Sequence, residues 1–573
     1  MELQIGYDDF GKVRSKGLAF VDKTLFIKEV LDNESNEVSI ITRPRRFGKT
    51  FNLSTLRYFL ASEVNQIKTN GMFDDLKIAT VDNGSYMQYQ GKYPVIFISF
   101  KEVKSDSYGL TYNKLCSLIA NIFDMHSYLK QSDKLTEKDK QILQLIVDEK
   151  ADQAKIENSL YFLSFILFKH HGIKPWLLID EYDTPIQAGY VKDYYEEVVS
   201  LMRGILGTAL KTNPYFDRAI VTGILRIAKE SIFSELNNVT VYSLLQTQYS
   251  QQFGFTEKEV HEILVQTNLE SQEVEIKKWY NGYVYGDATV YNPWSIVNYI
   301  NCKIFKAFWV NTSDNLLIKQ QLIKSSPEFK EQFKLLLQDK TVEKIINENM
   351  VFGDLENNSE AAWSLLLMSG YLKAISTNID MGRIICKCAI PNLEVKILYR
   401  NIIEEWLGNG HGIMWYQNFL SCLLKGDIDS FEKYFGEILI RTISVHDTAH
   451  NPEAFYQGFM LGLAAGIDQN QYEVRSNRES GLGRYDIAIV PRDIKKIGII
   501  LELKSIMPPK VTKRTLAKVV DTLLVQEAQK ALKQIDNNRY TIDLVHRGIV
   551  NIVKIGLAFS GKEFRVAYEG GGK

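Results

Sequence analysis

The sequence predicts an α/β protein with a parallel-sheet core, a mostly helical middle region and a smaller C-terminal α/β domain. Three observations carry this. Residues 1–260 alternate short apolar runs with helix-like segments. The stretch Arg43-Pro44-Arg45-Arg46-Phe47-Gly48-Lys49-Thr50 stands between one such run and a helical pattern. From about residue 446 the chain returns to strand-like runs that carry Asp486 and then Glu502-Leu503-Lys504.

The apolar runs come first. Val38-Ser39-Ile40-Ile41, Pro94-Val95-Ile96-Phe97-Ile98-Ser99-Phe100, Trp176-Leu177-Leu178-Ile179-Asp180 and Arg218-Ala219-Ile220-Val221-Thr222-Gly223 show little polar alternation. Strands of that kind belong in a parallel sheet covered by helices on both faces. Residues 108–171 read mainly as helix, and so does most of 255–445. Thr256 and Glu259 have the spacing of a capping box opening a helix. A helix is expected near 452–466, strands at 485–490 and 497–503, a helix at 523–537, and a closing strand pair at 552–559 and 563–568. The resulting domains are 1–255, 256–445 and 446–573.

Composition narrows the class. A chain of 573 residues exceeds one ordinary core and implies two to four domains. With 45% hydrophobic and 24% charged residues it is globular. A net charge of −1 provides no global basic field, so contact with nucleic acid must use local patches. The five cysteines form no metal-site spacing and fit a reducing cytoplasm. The acidic N-terminus lacks an apolar signal core, and no apolar run is long enough to span a bilayer; 160–168 is far too short. A cytoplasmic location without membrane attachment is the expectation. Gly570-Gly571-Gly572-Lys573 reads as a frayed tail.

Strand, turn, Gly-Lys-Thr and helix form the context of a phosphate-binding loop. N–H groups at a helix start, reinforced by the helix dipole, hold phosphate oxygens. Lys49 would reach the β and γ phosphates, and the Thr50 hydroxyl would hold magnesium. The standard pattern places glycine where Arg43 stands. Arg43, Arg45 and Arg46 crowd the loop; one could contact phosphate and another could be structural. Leu177-Leu178-Ile179-Asp180-Glu181 ends an apolar strand in two carboxylates. Asp180 would orient magnesium and Glu181 would polarise the attacking water. Thr222 and Arg226, at the end of the next strand, either sense the γ-phosphate or serve as turn residues. ATP and Mg2+ are the expected cofactors, with Arg43, Arg45, Arg46, Phe47, Gly48, Lys49, Thr50, Asp180, Thr222 and Arg226 as candidate nucleotide contacts.

Residues 7–24 (with Phe20-Val21-Asp22-Lys23-Thr24), 43–50, 177–183, 222–226 and 234–238 resemble the AAA-ATPase-like family of prokaryotes, which is related to the STAND ATPases. The resemblance implies an ASCE-type P-loop NTPase core. It continues through Trp279-Tyr280-Asn281-Gly282-Tyr283 and Tyr291-Asn292-Pro293-Trp294-Ser295, a polar-aromatic patch with no chemistry assigned and packing of a helical lid as its simplest reading.

In the C-terminal domain, strand alternation puts Glu502 and Lys504 on one face, with Asp486 on a neighbouring hairpin strand. Two carboxylates can share a divalent metal while the lysine holds or activates water, the parts that phosphodiester hydrolysis needs. Glu453 is the candidate third acid, from the preceding helix. Gln534 and Tyr540 would line the site. Arg475, Asn477, Arg478 and Arg484 would form a basic rim for phosphate contacts. The bland alternative is a surface hairpin with an ion pair. Residues 476–486 and 500–504, with 455–459 and 531–535, resemble the PD-(D/E)XK nuclease superfamily. That implies a restriction-endonuclease-like domain acting on nucleic acid, DNA foremost. Tyr485 stands where a proline usually precedes the aspartate.

In the middle region, Leu365-Leu366-Leu367-Met368-Ser369-Gly370 reads as a helix stopped at Gly370 and followed by a β-ribbon. A winged-helix-like or helical connector fits; it could bind DNA, transmit ATP state or act as a spacer. His446 and His450 lack the intervening Glu of a metalloprotease motif. A homo-oligomer is a possible assembly.

Overall fold

The computed structural model describes the chain except residues 1–5, 226–237, 311–317, 319–326, 350–351, 357–358, 409–412, 443–451, 465–466, 469–470, 507–512 and 571–573. Some side chains inside helices and strands are also not described, among them those of Glu453 and Asn477. Arg226, His446 and His450 therefore lie outside the described residues. The chain divides into two compact units, Met1–Lys324 with Asp339–Lys396, and Ser325–Gln338 with Ile397–Lys573.

The first unit is built on five parallel strands: β1 (Val38–Thr42), β2 (Val95–Ser99), β3 (Trp176–Asp180), β4 (Ala219–Gly223) and β5 (Val239–Tyr242). Their order is β2-β3-β4-β1-β5. Every residue of β1, β3 and β4 is buried, which is why these runs lack polar alternation. Strand β4 separates the loop-bearing β1 from the acidic β3, the inserted strand that an ASCE-type core requires. Parallel strands end on one edge, so Thr42, Ser99, Asp180 and Thr222 are delivered to the same side of the sheet. Helix α1 (Lys49–Leu60) leaves that edge and buries Leu53, Leu56, Phe59 and Leu60.

The rest of this unit adds helices and two small antiparallel sheets. Helix α2 (Glu257–Thr267) starts with the expected capping box: Thr256 Oγ1 accepts from the Glu259 N–H, and a Glu259 carboxylate oxygen accepts from the Thr256 N–H at 2.8 Å. Helix α3 (Pro293–Cys302) is capped by Asn292, with proline in its first turn where no N–H is missed. One three-stranded sheet joins Phe255–Thr256, Ala288–Tyr291 and Tyr283–Tyr285. The other joins Val342–Ile346, Arg383–Ala389 and Lys373–Asp380. The helix Ser359–Met368 stops before Gly370 (φ +85°), and the ribbon follows as expected. Helix α4 (Leu393–Gly408) begins in this unit and continues beyond its last residue, Lys396.

The second unit holds a five-stranded sheet in chain order: β6 (Tyr472–Ser480), β7 (Gly483–Pro491), β8 (Gly498–Ser505), β9 (Ile552–Ser560) and β10 (Glu563–Glu569). Pairing is antiparallel except between β8 and β9. Alternation sends Ile487, Ile489, Ile499, Leu501 and Leu503 to one face. There they pack with helices α5 (Ile413–Lys425), α6 (Ile428–Thr442) and α7 (Pro452–Ala464). Ala488, Val490 and Ile500 go to the other face. They pack with Ile535 of α8 (Lys513–Asn537), Leu544 of α9 (Ile542–His546) and Tyr540. Periodicity grouped α5 and α6 with the middle region. Their Phe419, Phe431 and Phe435 complete the core under Phe559 and Phe564 instead. Strand β6 was not foreseen, because an edge strand carrying Arg475, Asn477 and Arg478 hides its period among charges.

Gly556 sits opposite Glu502 in the β8–β9 ladder. A Cβ there would lie 2.3 Å from the Ala528 carbonyl oxygen and 2.6 Å from the Leu532 nitrogen of α8. Close seating of α8 on the sheet depends on that glycine. Gly556→Ala should cost about 2 kcal/mol or more, read as a lowered denaturation midpoint, because the contact is with backbone that cannot rotate away.

Candidate functional sites

In the first unit, the loop after β1 turns into α1 through Gly48, whose φ of +86° suits glycine, and Arg46 shares the left-handed region at +67°. Arg43 is not in that region, so glycine is not needed where the standard pattern has it. Its guanidinium is fully buried. It donates to the carbonyls of Thr42 (2.8 Å), Tyr242 (2.9 Å) and Gln248 (3.3 Å) and lies against the rings of Phe253 and Tyr285. Of the three arginines, Arg43 is the structural one. Arg45 donates to Gln187 Oε1 at 2.6 Å, and Arg46 stacks over Trp294 at 4.3 Å. Phe47 is buried against Tyr283 and Tyr285.

Lys49 is buried and donates to the carbonyls of Arg43 and Pro44, each at 2.9 Å. Burial pulls its pKa down, and the carboxylates of Glu181 and Asp180 oppose that. The Asp180 carboxylate, also buried, accepts from three hydroxyls: Thr222 (2.6 Å), Thr50 (2.8 Å) and Ser99 (3.4 Å). Burial raises its pKa, since these neutral donors do not replace the lost hydration of a charge. A carboxylate and a threonine hydroxyl side by side are the hard oxygen donors that suit magnesium and its water shell. Glu181 has φ +52°, a costly conformation for glutamate, and accepts from the Thr184 hydroxyl at 3.2 Å.

Asp183 was missed by the sequence reading. Buried at the same strand end, it accepts from the N–H groups of Ile224 (2.8 Å) and Leu225 (3.2 Å), while the Tyr182 hydroxyl donates to the Leu225 carbonyl. It fixes the turn after Thr222. The acidic run beyond Ile179 was the available signal, but a turn has no periodicity to say which acid faces where.

Arg45, Arg46, Gly48, Lys49, Thr50 and Glu181 line a cavity of about 670 Å³, walled further by Phe20, Val21, Phe255, Pro293 and Trp294. That size and mixture of apolar wall with a few charged groups suits a nucleotide.

The second unit carries the other site. The β7–β8 register pairs Ile487 with Leu501, so the next step of the ladder sets Asp486 beside Glu502. Glu502 is 2% exposed. Its Oε1 accepts from the Gln534 amide and faces Lys504 Nζ at 3.5 Å; its Oε2 is buried with no hydrogen-bond partner among the described residues. Burial first, and then the Asp486 charge, push the Glu502 carboxyl up to about 7. Asp486 Oδ2 accepts from the Leu503 N–H at 2.7 Å, and its carbonyl accepts from the Gln457 amide at 3.0 Å. Buried Tyr540 accepts from Asn538 at 2.9 Å and from Gln534 at 3.4 Å. An orphaned carboxylate oxygen beside a second carboxylate fits a divalent cation. Among the described residues, no three His, Cys, Asp or Glu side chains form a metal cluster.

The basic rim is smaller than expected. Arg475 is 7% exposed and divided between Asp543 and Glu473, each at 2.7 Å, so it braces β6 against α9 instead of presenting charge to a phosphate. Arg478 is exposed, and exposed Arg484 pairs with Glu479 at 3.2 Å. Gln457 and Asn538 complete the surroundings of the site and were not foreseen.

These geometries describe a P-loop nucleotide site and a PD-(D/E)XK-type acidic site on one chain. Residues 4–233 match the family described as "Predicted AAA-ATPase", and residues 451–569 match the PD-(D/E)XK nuclease superfamily. The chain thus carries an AAA-ATPase-like domain and a PD-(D/E)XK nuclease-like domain. It is similar to an uncharacterized protein in the vnfD 5′ region of Azotobacter chroococcum mcd 1, 23% identical over 502 residues, covering 85% of this chain and 87% of that one. Among solved structures it is similar to a Walker-type ATPase of Pyrococcus abyssi, with 13% identity and a TM-score of 0.34, over 66% of this chain and 94% of that one. Among the described residues, no helix is long and apolar enough to cross a membrane.

Proposed function

We propose that the protein is an ATP-hydrolysing switch, of the STAND kind, that controls a magnesium-dependent nuclease acting on nucleic acid, with DNA as the substrate and the cytoplasm as its location. The observation that carries the nuclease half is Glu502, buried beside Asp486 and Lys504 with one carboxylate oxygen unmatched. A surface hairpin with an ion pair would leave that carboxylate hydrated. A nuclease fold that only binds its target would have no need to bury Glu502 beside Asp486 at such electrostatic cost, which the Lys504 ammonium offsets only in part.

Each residue then has a part. Lys49 and the N–H groups at the start of α1 hold phosphate, Thr50 and Asp180 hold magnesium, and Glu181 orients water. Thr222 and Arg45 stand beside the reacting phosphate. Asp486 and Glu502 hold a metal whose charge would neutralise the phosphodiester, and Lys504 positions the attacking water. Gln534 orients Glu502, and Tyr540 orients Gln534. Arg478 and Arg484 contact the backbone of the polymer.

Labelled single- and double-stranded DNA and RNA, incubated with the full chain, magnesium and ATP, test this. Wild type should cut DNA only with magnesium, at a rate that ATP changes. Glu502→Ala should abolish cutting, and Lys49→Ala should abolish the ATP response. Wild type that cuts none of these polymers would remove the nuclease half. Mass measurement with and without ATP tests whether the switch works through assembly.

A further inference from the structure

A buried carboxylate outside both sites ties the phosphate loop to the head of α4. Glu394 is fully buried. Its Oε1 accepts from the Trp309 N–H at 2.6 Å, the N–H groups of Phe308 and Val310 also donate to it, and its Oε2 accepts from Ser295 Oγ at 2.8 Å. A carboxylate that gathers this many donors out of water fixes the 308–310 segment firmly.

That segment grips the loop. The Trp309 indole N–H donates to the Arg45 carbonyl at 3.0 Å. The Trp309 ring packs on Tyr283, which packs on Phe47. Gly370, at φ +85°, lies so near Pro44 that a Cβ would be 2.9 Å from its Cγ. Pro44, Arg45 and Phe47 are therefore each held from the middle region.

Glu394 lies in the first turn of α4. Asn392 caps that helix by accepting from the Val395 N–H at 3.1 Å, and its amide donates to the Asn281 carbonyl at 3.0 Å. Gly282, at φ +98°, admits the Pro391 carbonyl oxygen to 2.3 Å of where a Cβ would be. The two polar-aromatic stretches around 279–283 and 291–295 thus converge on the loop and the head of α4. That helix continues past Lys396 into the segment of chain that belongs to the second unit.

We propose that Glu394 is a positioning residue for the nucleotide site, which through Trp309 fastens the phosphate loop to the head of α4 so that loop occupancy alters how that helix is anchored. The proposal rests on the ATP-binding reading above. Lys49 now donates to the carbonyls of Arg43 and Pro44; phosphate competes for that ammonium, and the next carbonyl along the chain is the one Trp309 holds.

The test is hydrogen exchange of the full chain with saturating ATP and magnesium, alongside ATP affinity by calorimetry. In wild type, ATP should change exchange at residues 393–396 by about threefold or more. Trp309→Phe keeps the ring and removes the indole donor. It should weaken ATP binding by about 3- to 10-fold, the worth of one hydrogen bond, and lose the exchange response. Glu394→Gln should act in the same direction, and Trp309→Phe decides if that variant does not fold. A merely structural role would alter stability while leaving the response to ATP in place. ATP that binds without any change at 393–396, or Trp309→Phe with full affinity and full response, would overturn the proposal alone. No ATP binding by wild type would overturn it together with the nucleotide reading.

Discussion

Glu502→Gln should stabilise the metal-free protein at pH 8 while removing magnesium-dependent cleavage. Holding this carboxyl at about 7 instead of 4.5 works against its ionised form by roughly 3 kcal/mol. The sign follows from proton linkage: the folded state binds the proton more tightly than the unfolded chain. The penalty is absent below the unfolded value near 4.5, grows between the two, and is complete above about 7. Glutamine keeps the shape and the contact with Gln534 but carries no charge. Its stabilising effect should therefore appear at pH 8 and vanish at pH 4, as read by denaturant midpoints. Magnesium should stabilise wild type at pH 8 and leave the variant unchanged, because the cation offsets a repulsion that glutamine lacks. Cleavage should fall about a hundredfold or more, since a metal ligand is lost. A variant less stable than wild type at pH 8 would contradict the charge argument even if cleavage were lost.

Lys49→Ala should lower ATP affinity by about a hundred- to a thousandfold. Charge-assisted hydrogen bonds from a buried ammonium to phosphate contribute about 3–4 kcal/mol together, and each 1.4 kcal/mol is tenfold. The same change removes the donor from the Arg43 and Pro44 carbonyls, so a stability loss of about 1–2 kcal/mol should accompany it. The two effects separate in a thermal scan. ATP at a hundred times its Kd should stabilise wild type by about 2.7 kcal/mol and the variant hardly at all. Arg46→Ala is the contrast: the side chain is exposed and stacked on Trp294, so affinity should change by only a few-fold. Equal losses from both variants would mean that the site responds to total charge and not to the loop's geometry.

Much of both sites was legible in the sequence because their key residues end strongly patterned strands. The buried runs ending at Thr42, Asp180 and Thr222 could be read directly, and parallel topology then brings their ends to one edge. Glu502 and Lys504 share a face by alternation alone, and their nearness to Asp486 needed only the adjacent antiparallel strand. Roles set by contacts distant in sequence were not legible. Arg43 stands in a phosphate-loop motif, yet residues about 200 positions away, Tyr242 and Gln248, claim its guanidinium. Arg475 looks like its neighbour Arg478 but is neutralised by Asp543. Asp183 and Glu394 had no chemical role assigned from the sequence, and their importance comes from the backbone N–H groups that they satisfy.

By itself the sequence determined the strand-and-helix framework, the two chemical constellations and the helix start set by local capping at Thr256. These depend on neighbours within a few residues, where periodicity and side-chain chemistry act directly. Only the tertiary structure decided which charges are spent on the fold and which face a cavity, and that α5 and α6 complete the core of the second unit. It alone showed the Glu394–Trp309 hold on the phosphate loop. The physical reason is that burial and pairing depend on whatever packs against a residue, and for these residues the partners lie tens to hundreds of positions away.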